Sequence, residues 1–220
     1  MDRGWPVGEV LGSEAELVAK YGVSRAVFRE AVRIVEHHNV ARMRRGPGGG
    51  LVVTAPGLEA VQRPAALYLA HAKTKVADVQ ALRRAIELQA VRGAVEHLDE
   101  SGIARLRSVM DDERQLSAGE ARRNDLHALH VVLADLSENP AVVLTMAMLL
   151  AMTSAQPGND VLSADDLATA LAHHDAIVEA VVAGDVALAQ HRMGRFLDFA
   201  ERGEDPEHVA LPASASDARD

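Results

Sequence analysis

The segment GVSRAVFREAV, Gly22 to Val32, with VARMRRGPGGGLVV, Val40 to Val53, following it, constrains this chain more than any other stretch. Ser13-Glu14-Ala15-Glu16 upstream has the form of a capping box, in which the Ser13 hydroxyl and the Glu16 carboxylate satisfy free amides at a helix start. The helix that follows is expected to end near Tyr21, where Gly22 supplies the left-handed residue that closes a helix and turns the chain. Ser24 then serves as N-cap of a second helix. In it Phe28, Ala31, Val32 and Val35 recur at the spacing of one buried face. Arg25, Arg29 and Arg33 recur every four residues on a different face. Asn39 tolerates the left-handed conformation needed to leave that helix. Val40–Arg44 and Leu51–Thr54 can then pair as strands around a tip at Gly46–Gly50, whose bare backbone permits close approach to another chain.

Two short helices across a tight turn, an arginine stripe and a glycine-arginine hairpin, in that order, describe a winged helix-turn-helix. An arginine stripe by itself is usually a solvated face. Backed by a buried stripe and followed by a basic hairpin, it suits a helix lying in a major groove. The charge distribution agrees. The whole chain carries −9, yet residues 1–54 hold 8 Lys/Arg against 6 Asp/Glu, a net of +2, and the remaining residues hold 15 against 26, a net of −11. A module so mildly basic needs good base contacts or two-site avidity, and its affinity should fall with salt. With no cysteine, disulfides and thiolate metal sites are excluded. The apolar run Ala141–Met152 is too short to span a bilayer and reads as a buried helix. With no secretory signal, a cytoplasmic location and no membrane partner are expected.

Beyond residue 55 no strand is expected. Ala55-Pro56-Gly57 reads as a linker and Leu58–Ala72 as a connecting helix interrupted by Pro64. Helices are expected near Val76–Leu98, Ser101–Leu116, Arg122–Leu136, Pro140–Ala155, Ala164–Ala183 and Val186–Arg202. The fold class is therefore mainly α: an N-terminal winged helix-turn-helix with a small β-hairpin wing, then an all-α antiparallel helical bundle. The expected divisions are 1–55 for the winged helix, 56–75 for a linker helix, 76–202 for a helical domain and 203–220 for a disordered tail. Neither a phosphate-binding glycine loop nor a Gly-x-Ser-x-Gly elbow is present, and the glycines of the GPGGG run belong to the hairpin.

Ser13 to Val53 resembles the winged helix of GntR-type regulators, whose usual form is close to SERELAxxxGVSRxxVREALxxLxxxGLVxxxxGxGxFV. The resemblance implies that Ser24, Arg25 and Arg29 of the recognition helix, with Arg44, Arg45 and Gly46 of the wing, contact double-stranded DNA. Three departures stand out. Ala15 occupies the place of an arginine, Ala26-Val27 replace the common threonine-containing pair, and the apolar first helix of the family is largely missing ahead of the capping box. Ala81–Ala94, Leu129–Pro140 and His174–Met193 resemble the all-α effector domain (FCD type) of the FadR branch of the same family. Such domains dimerise and bind small carboxylates, in many members through a divalent metal on an aspartate and three histidines.

The resemblance assigns His130 and His174 to two of the metal-binding positions. Leu126 and Phe196 fall at the other two, and neither can ligate; His127, three residues from His130, is the available substitute. A zinc or nickel site is thus incomplete, since tight sites need three or four protein ligands. The alternative is a metal-free polar pocket. Arg83 stands where the family points an arginine at the effector, with Glu87 one turn on; the plain alternative for that pair is a surface ion pair. The expected effector-binding residues are therefore Arg83, Glu87, His130 and His174.

The expected function is that of a non-enzymatic, homodimeric DNA-binding transcriptional regulator, a repressor by family logic, released from its operator by a small organic acid. One alternative is a DNA-incompetent fragment acting as a dimeric ligand-binding domain. Another is an all-α metal-dependent hydrolase built around His173-His174-Asp175, although a single His-Asp doublet occurs often by chance.

Overall fold

The computed structural model describes residues 5–154 and 161–201. The tail expected to be disordered lies outside the described residues. The chain divides into two compact units at Val61/Gln62.

The first unit begins with strand β1 (Val10–Gly12) and helices α1 (Glu14–Tyr21) and α2 (Arg25–His37), followed by strands β2 (Ala41–Arg44) and β3 (Gly50–Val53). The capping box at Ser13 is complete: Glu16 N–H donates to Ser13 Oγ at 3.3 Å and Ser13 N–H to Glu16 Oε2 at 2.7 Å. Gly22 closes α1 at φ 64° and Ser24 caps α2, accepting from Val27 N–H at 3.3 Å. Asn39, at φ 55°, turns the chain out of α2 as expected. Leu17, Phe28 and Val32 form the small core between the helices and the sheet. Glu36 fixes the helix to the hairpin by accepting from Met43 N–H at 2.9 Å.

The sheet has three antiparallel strands in the order β1-β3-β2, one more than the expected hairpin. The added strand, β1, is three residues long, too short to show the alternation by which strands are read. Its packing against β3 explains one glycine. A Cβ on Gly50, at φ 149°, would lie 2.5 Å from the Gly12 carbonyl oxygen.

In the second unit α3 (Glu59–His71), which starts at the end of the first, is followed by α4 (Val76–His97), α5 (Glu100–Glu113), α6 (His127–Leu136), α7 (Pro140–Ser154), α8 (Ala164–Val182) and α9 (Val186–Ala200). Pro64 does not interrupt α3, contrary to expectation. Pro64 is the sixth residue of α3 and is exposed, so water can satisfy the carbonyl that loses its donor. The helix expected from Arg122 opens instead with a 3-10 turn over Arg123–Leu126. No described helix is long and apolar enough to cross a membrane. Met146, Leu149, Leu150 and Met152 of the apolar run are buried in the helical cores.

The helical core joins Ala90, Val91 and Ala94 of α4 to Leu129 and Leu133 of α6, Ile177 of α8 and Met193 and Leu197 of α9. Gly93 of α4 lies against Ser137, which caps the end of α6; an added Cβ there would lie 2.6 Å from Ser137 Cβ and 2.8 Å from Ser137 Cα. Gly93→Ala is expected to force the pair apart and destabilise the unit by about 1–3 kcal/mol, read by urea denaturation. An unchanged midpoint would mean that the helices are not in contact there.

Candidate functional site

Two sites arise, one in each unit. In the first, α2 buries Phe28 and Val32 and leaves Arg25, Arg29 and Arg33 facing solvent. Arg29 Nε lies 3.1 Å from Glu14 Oε1 with 68% of its side chain exposed, and Arg33 pairs with Glu30 at 3.2 Å. Pairs so exposed hold an arginine only weakly and release it to a better anion. In the wing, Arg44 donates to the Gly48 carbonyl at 2.9 Å, while Gly46 and Gly48 take φ 95° and 71°. Arg42, Arg44 and Arg45 are all exposed, and Arg42 is a basic residue that motif matching passed over. The Ser24 side chain is engaged as the N-cap of α2, so it orients the recognition helix as well as standing at its tip. An open apolar cleft of about 250 Å³ runs along α2, lined by Tyr21, Val23, Phe28, Ala31, Val35 and Leu51 among others.

The second site is buried. Helix α4 turns Arg83 and Glu87 inward in line with Ala90, Val91 and Ala94, a stripe that the helical period places on one face. The surface-pair reading of Arg83 and Glu87 is therefore overturned: their side chains are 5% and 0% exposed, with Arg83 Nε 3.2 Å from Glu87 Oε1. The other Glu87 oxygen accepts from His130 Nδ1 of α6 at 2.8 Å. A second pair stands beside the first. His174 Nδ1 of α8 lies 2.7 Å from Glu113 Oε2 at the end of α5. The two imidazoles meet edge to face at 5.3 Å between ring centroids, and Phe196 of α9 packs 5.1 Å from His130 and 4.6 Å from His174. His130 Nε2 and His174 Nε2 are buried without a hydrogen-bond partner.

Sequence reasoning found Arg83, Glu87, His130 and His174, and the fold brings all four together. It missed Glu113, one acid in the run Asp111-Asp112-Glu113, where only the packing of α5 against α8 decides which one turns inward.

Burial opposes ionisation of Glu87, but His130 and the permanent charge of Arg83 outweigh it and hold the carboxyl at about 2. Burial pushes His130 below the ordinary histidine range, so the ring is neutral and donates through Nδ1. Half-buried His127 is pushed down to about 3, chiefly by burial and then by Arg83. Because the folded value for Glu87 lies below the unfolded 4.5, its contribution is complete above pH 4.5 and is lost as the pH falls toward 2. Urea midpoints are expected to fall across that window, and Glu87→Gln to flatten the fall. An equally steep fall in the variant would contradict this linkage.

The sequence profile of the FCD domain matches residues 78–199, over half of the chain and all the helices that build the buried site. The chain belongs to the FCD domain family. The FCD protein is also similar to the HTH-type transcriptional repressor NanR of Cronobacter sakazakii, 28% identical over 81% of this chain and 70% of that protein. To the HTH-type transcriptional regulator LutR of Bacillus subtilis it is 26% identical over 60% of each chain. The solved structure of Streptococcus agalactiae GntR superposes with a TM-score of 0.62 over 91% of this chain and 92% of that one, at 20% identity. The fold is thus GntR-like, a winged helix with a helical FCD unit.

The metal that the resemblance implies does not fit the residues present. His130 and His174 offer two nitrogens, while buried Leu126 and Phe196 stand at the other two positions. Among the described residues no group of three or more His, Asp or Glu is arranged to hold a metal, so His127 does not complete the set. Two imidazoles fall short of a tight zinc or nickel site.

Proposed function

We propose that this chain is a DNA-binding transcriptional regulator whose FCD unit binds a small organic acid and thereby controls operator affinity. One observation carries the reading: α2 buries Phe28 and Val32 while Arg25, Arg29 and Arg33 face solvent, on the same unit as the exposed arginines of the wing. Ser24, Arg25 and Arg29 enter the major groove, and Arg44, Arg45 and the Gly46 tip of the wing grip the adjacent backbone. The protein acts as a homodimer on a near-palindromic operator, each copy reading one half-site. Arg83, Glu87, His130 and His174 form the effector pocket. Effector binding changes the separation of the two reading heads, so affinity falls through lost avidity rather than through every contact at once. NanR is a repressor, and the same logic is proposed here.

Organic acids that raise the melting temperature of the full chain are expected to weaken its DNA binding by about 5–150-fold, the usual range of such coupling. Acids that bind tightly yet leave DNA affinity unchanged would contradict the coupling. A second reading, a ligand-binding dimer without operator binding, is favoured by the open apolar cleft along α2. In that case effector binding survives while no duplex is selected.

A further inference from the structure

His130 and His174 are built alike. Each turns Nδ1 onto a buried glutamate, at 2.8 Å for Glu87 and 2.7 Å for Glu113. A carboxylate only accepts, so Nδ1 of each ring carries a proton, and in the neutral form of such a ring Nε2 carries a lone pair. Both rings are 0% exposed, and both Nε2 atoms lack a partner. Buried polar atoms without partners are costly and scarce, and two on neighbouring rings mark a place for something that donates to them.

A carboxylate behind each imidazole is also how proteins orient metal-binding histidines. The outer frame of a metal centre is therefore intact here, while Leu126 and Phe196 fill half of its inner ring with hydrocarbon. Phe196 closes one side of the pair and has nothing to offer a cation but its ring. A carboxylate facing two lone pairs would be repelled. A hydroxyl or ammonium group facing them would be held.

We propose that this site works without a metal, and that His130 Nε2 and His174 Nε2 form a pair of acceptors for an N–H or O–H group of the small-molecule ligand. This deepens the effector reading above and rests on it for the regulatory consequence. It also reassigns the pocket: the part of the effector that reaches the histidines is its hydrogen-bond donor, and its carboxylate lies elsewhere.

The test requires neither operator nor effector, so it can fail while DNA binding stands. In the full chain labelled with ¹⁵N, long-range proton–nitrogen correlation of the imidazoles is expected to show Nδ1–H and bare Nε2 for both His130 and His174 at neutral pH. A proton on Nε2 of either ring would overturn the proposal. Zinc and nickel titrations followed by calorimetry are expected to show no tight site at this pair. Submicromolar zinc binding abolished by His130→Ala would also overturn it. The combined substitution Leu126→Asp with Phe196→His restores the missing ligands inside the retained frame, and it should raise zinc affinity by on the order of 100-fold or more. A folded variant, checked by circular dichroism, that gains no zinc affinity would show that Glu87 and Glu113 do not hold the rings as such a frame requires.

Discussion

Glu87→Ala is expected to destabilise the FCD unit by about 3–5 kcal/mol, because it strands Arg83 and His130 in the core without their shared acceptor. The structure makes Glu87 the hinge of the site: one oxygen engages Arg83 at 3.2 Å and the other His130 at 2.8 Å, and the side chain is wholly buried. Removing one partner of a buried pair is far worse than removing both. The double change Arg83→Leu with Glu87→Leu should therefore recover much of the loss, leaving His130 short of one hydrogen bond. Urea denaturation followed by helical signal reads both variants. Hydrogen exchange should localise the damage to α4 and α6 and spare the winged helix. If Glu87→Ala costs less than about 1 kcal/mol, the cluster is not closed to water.

Arg29→Ala is expected to weaken operator binding by about 5–150-fold per half-site, the loss for a base or phosphate contact of about 1–3 kcal/mol, and by more in a dimer that needs both heads. Folding should be nearly unchanged, since the exposed Arg29–Glu14 pair contributes little. Glu14→Ala should leave DNA affinity equal or improved, because it frees the arginine. Arg107→Ala, an exposed arginine on α5, should leave it unchanged and serves as the control. Effector affinity should be the same in all three. Equal losses of operator and effector binding in Arg29→Ala would contradict the division of labour between the two units.

Where sequence and structure agree, the signals are local. The Ser13–Glu16 box and the Ser24 cap satisfy free amides, and the Gly22 turn donates to the free Val18 carbonyl, all within four residues, so short-range chemistry suffices to find them. The helices of the second unit follow from periodicity and caps in the same way. The misses are of another kind. Strand β1 exists because β3 offers it a partner, and Pro64 is absorbed because it faces solvent, where water can replace the donor it removes. The i, i+4 pairing of Arg83 and Glu87 was visible in sequence, but their depth was not, since charges at that spacing usually face water. His130 and His174 stood out through a family resemblance; their backing by Glu87 and Glu113 depends on four helices meeting, which no local pattern encodes.

The central claim is that the first unit reads DNA as part of a dimer. Selection of random duplexes on the purified full chain at about 150 mM salt, where non-specific phosphate contacts are weakened, tests it most directly. The account predicts enrichment of a short near-palindrome whose half-site centres lie about one helical turn apart, and loss of that enrichment with Arg29→Ala. A folded, dimeric protein that enriches no sequence would contradict it.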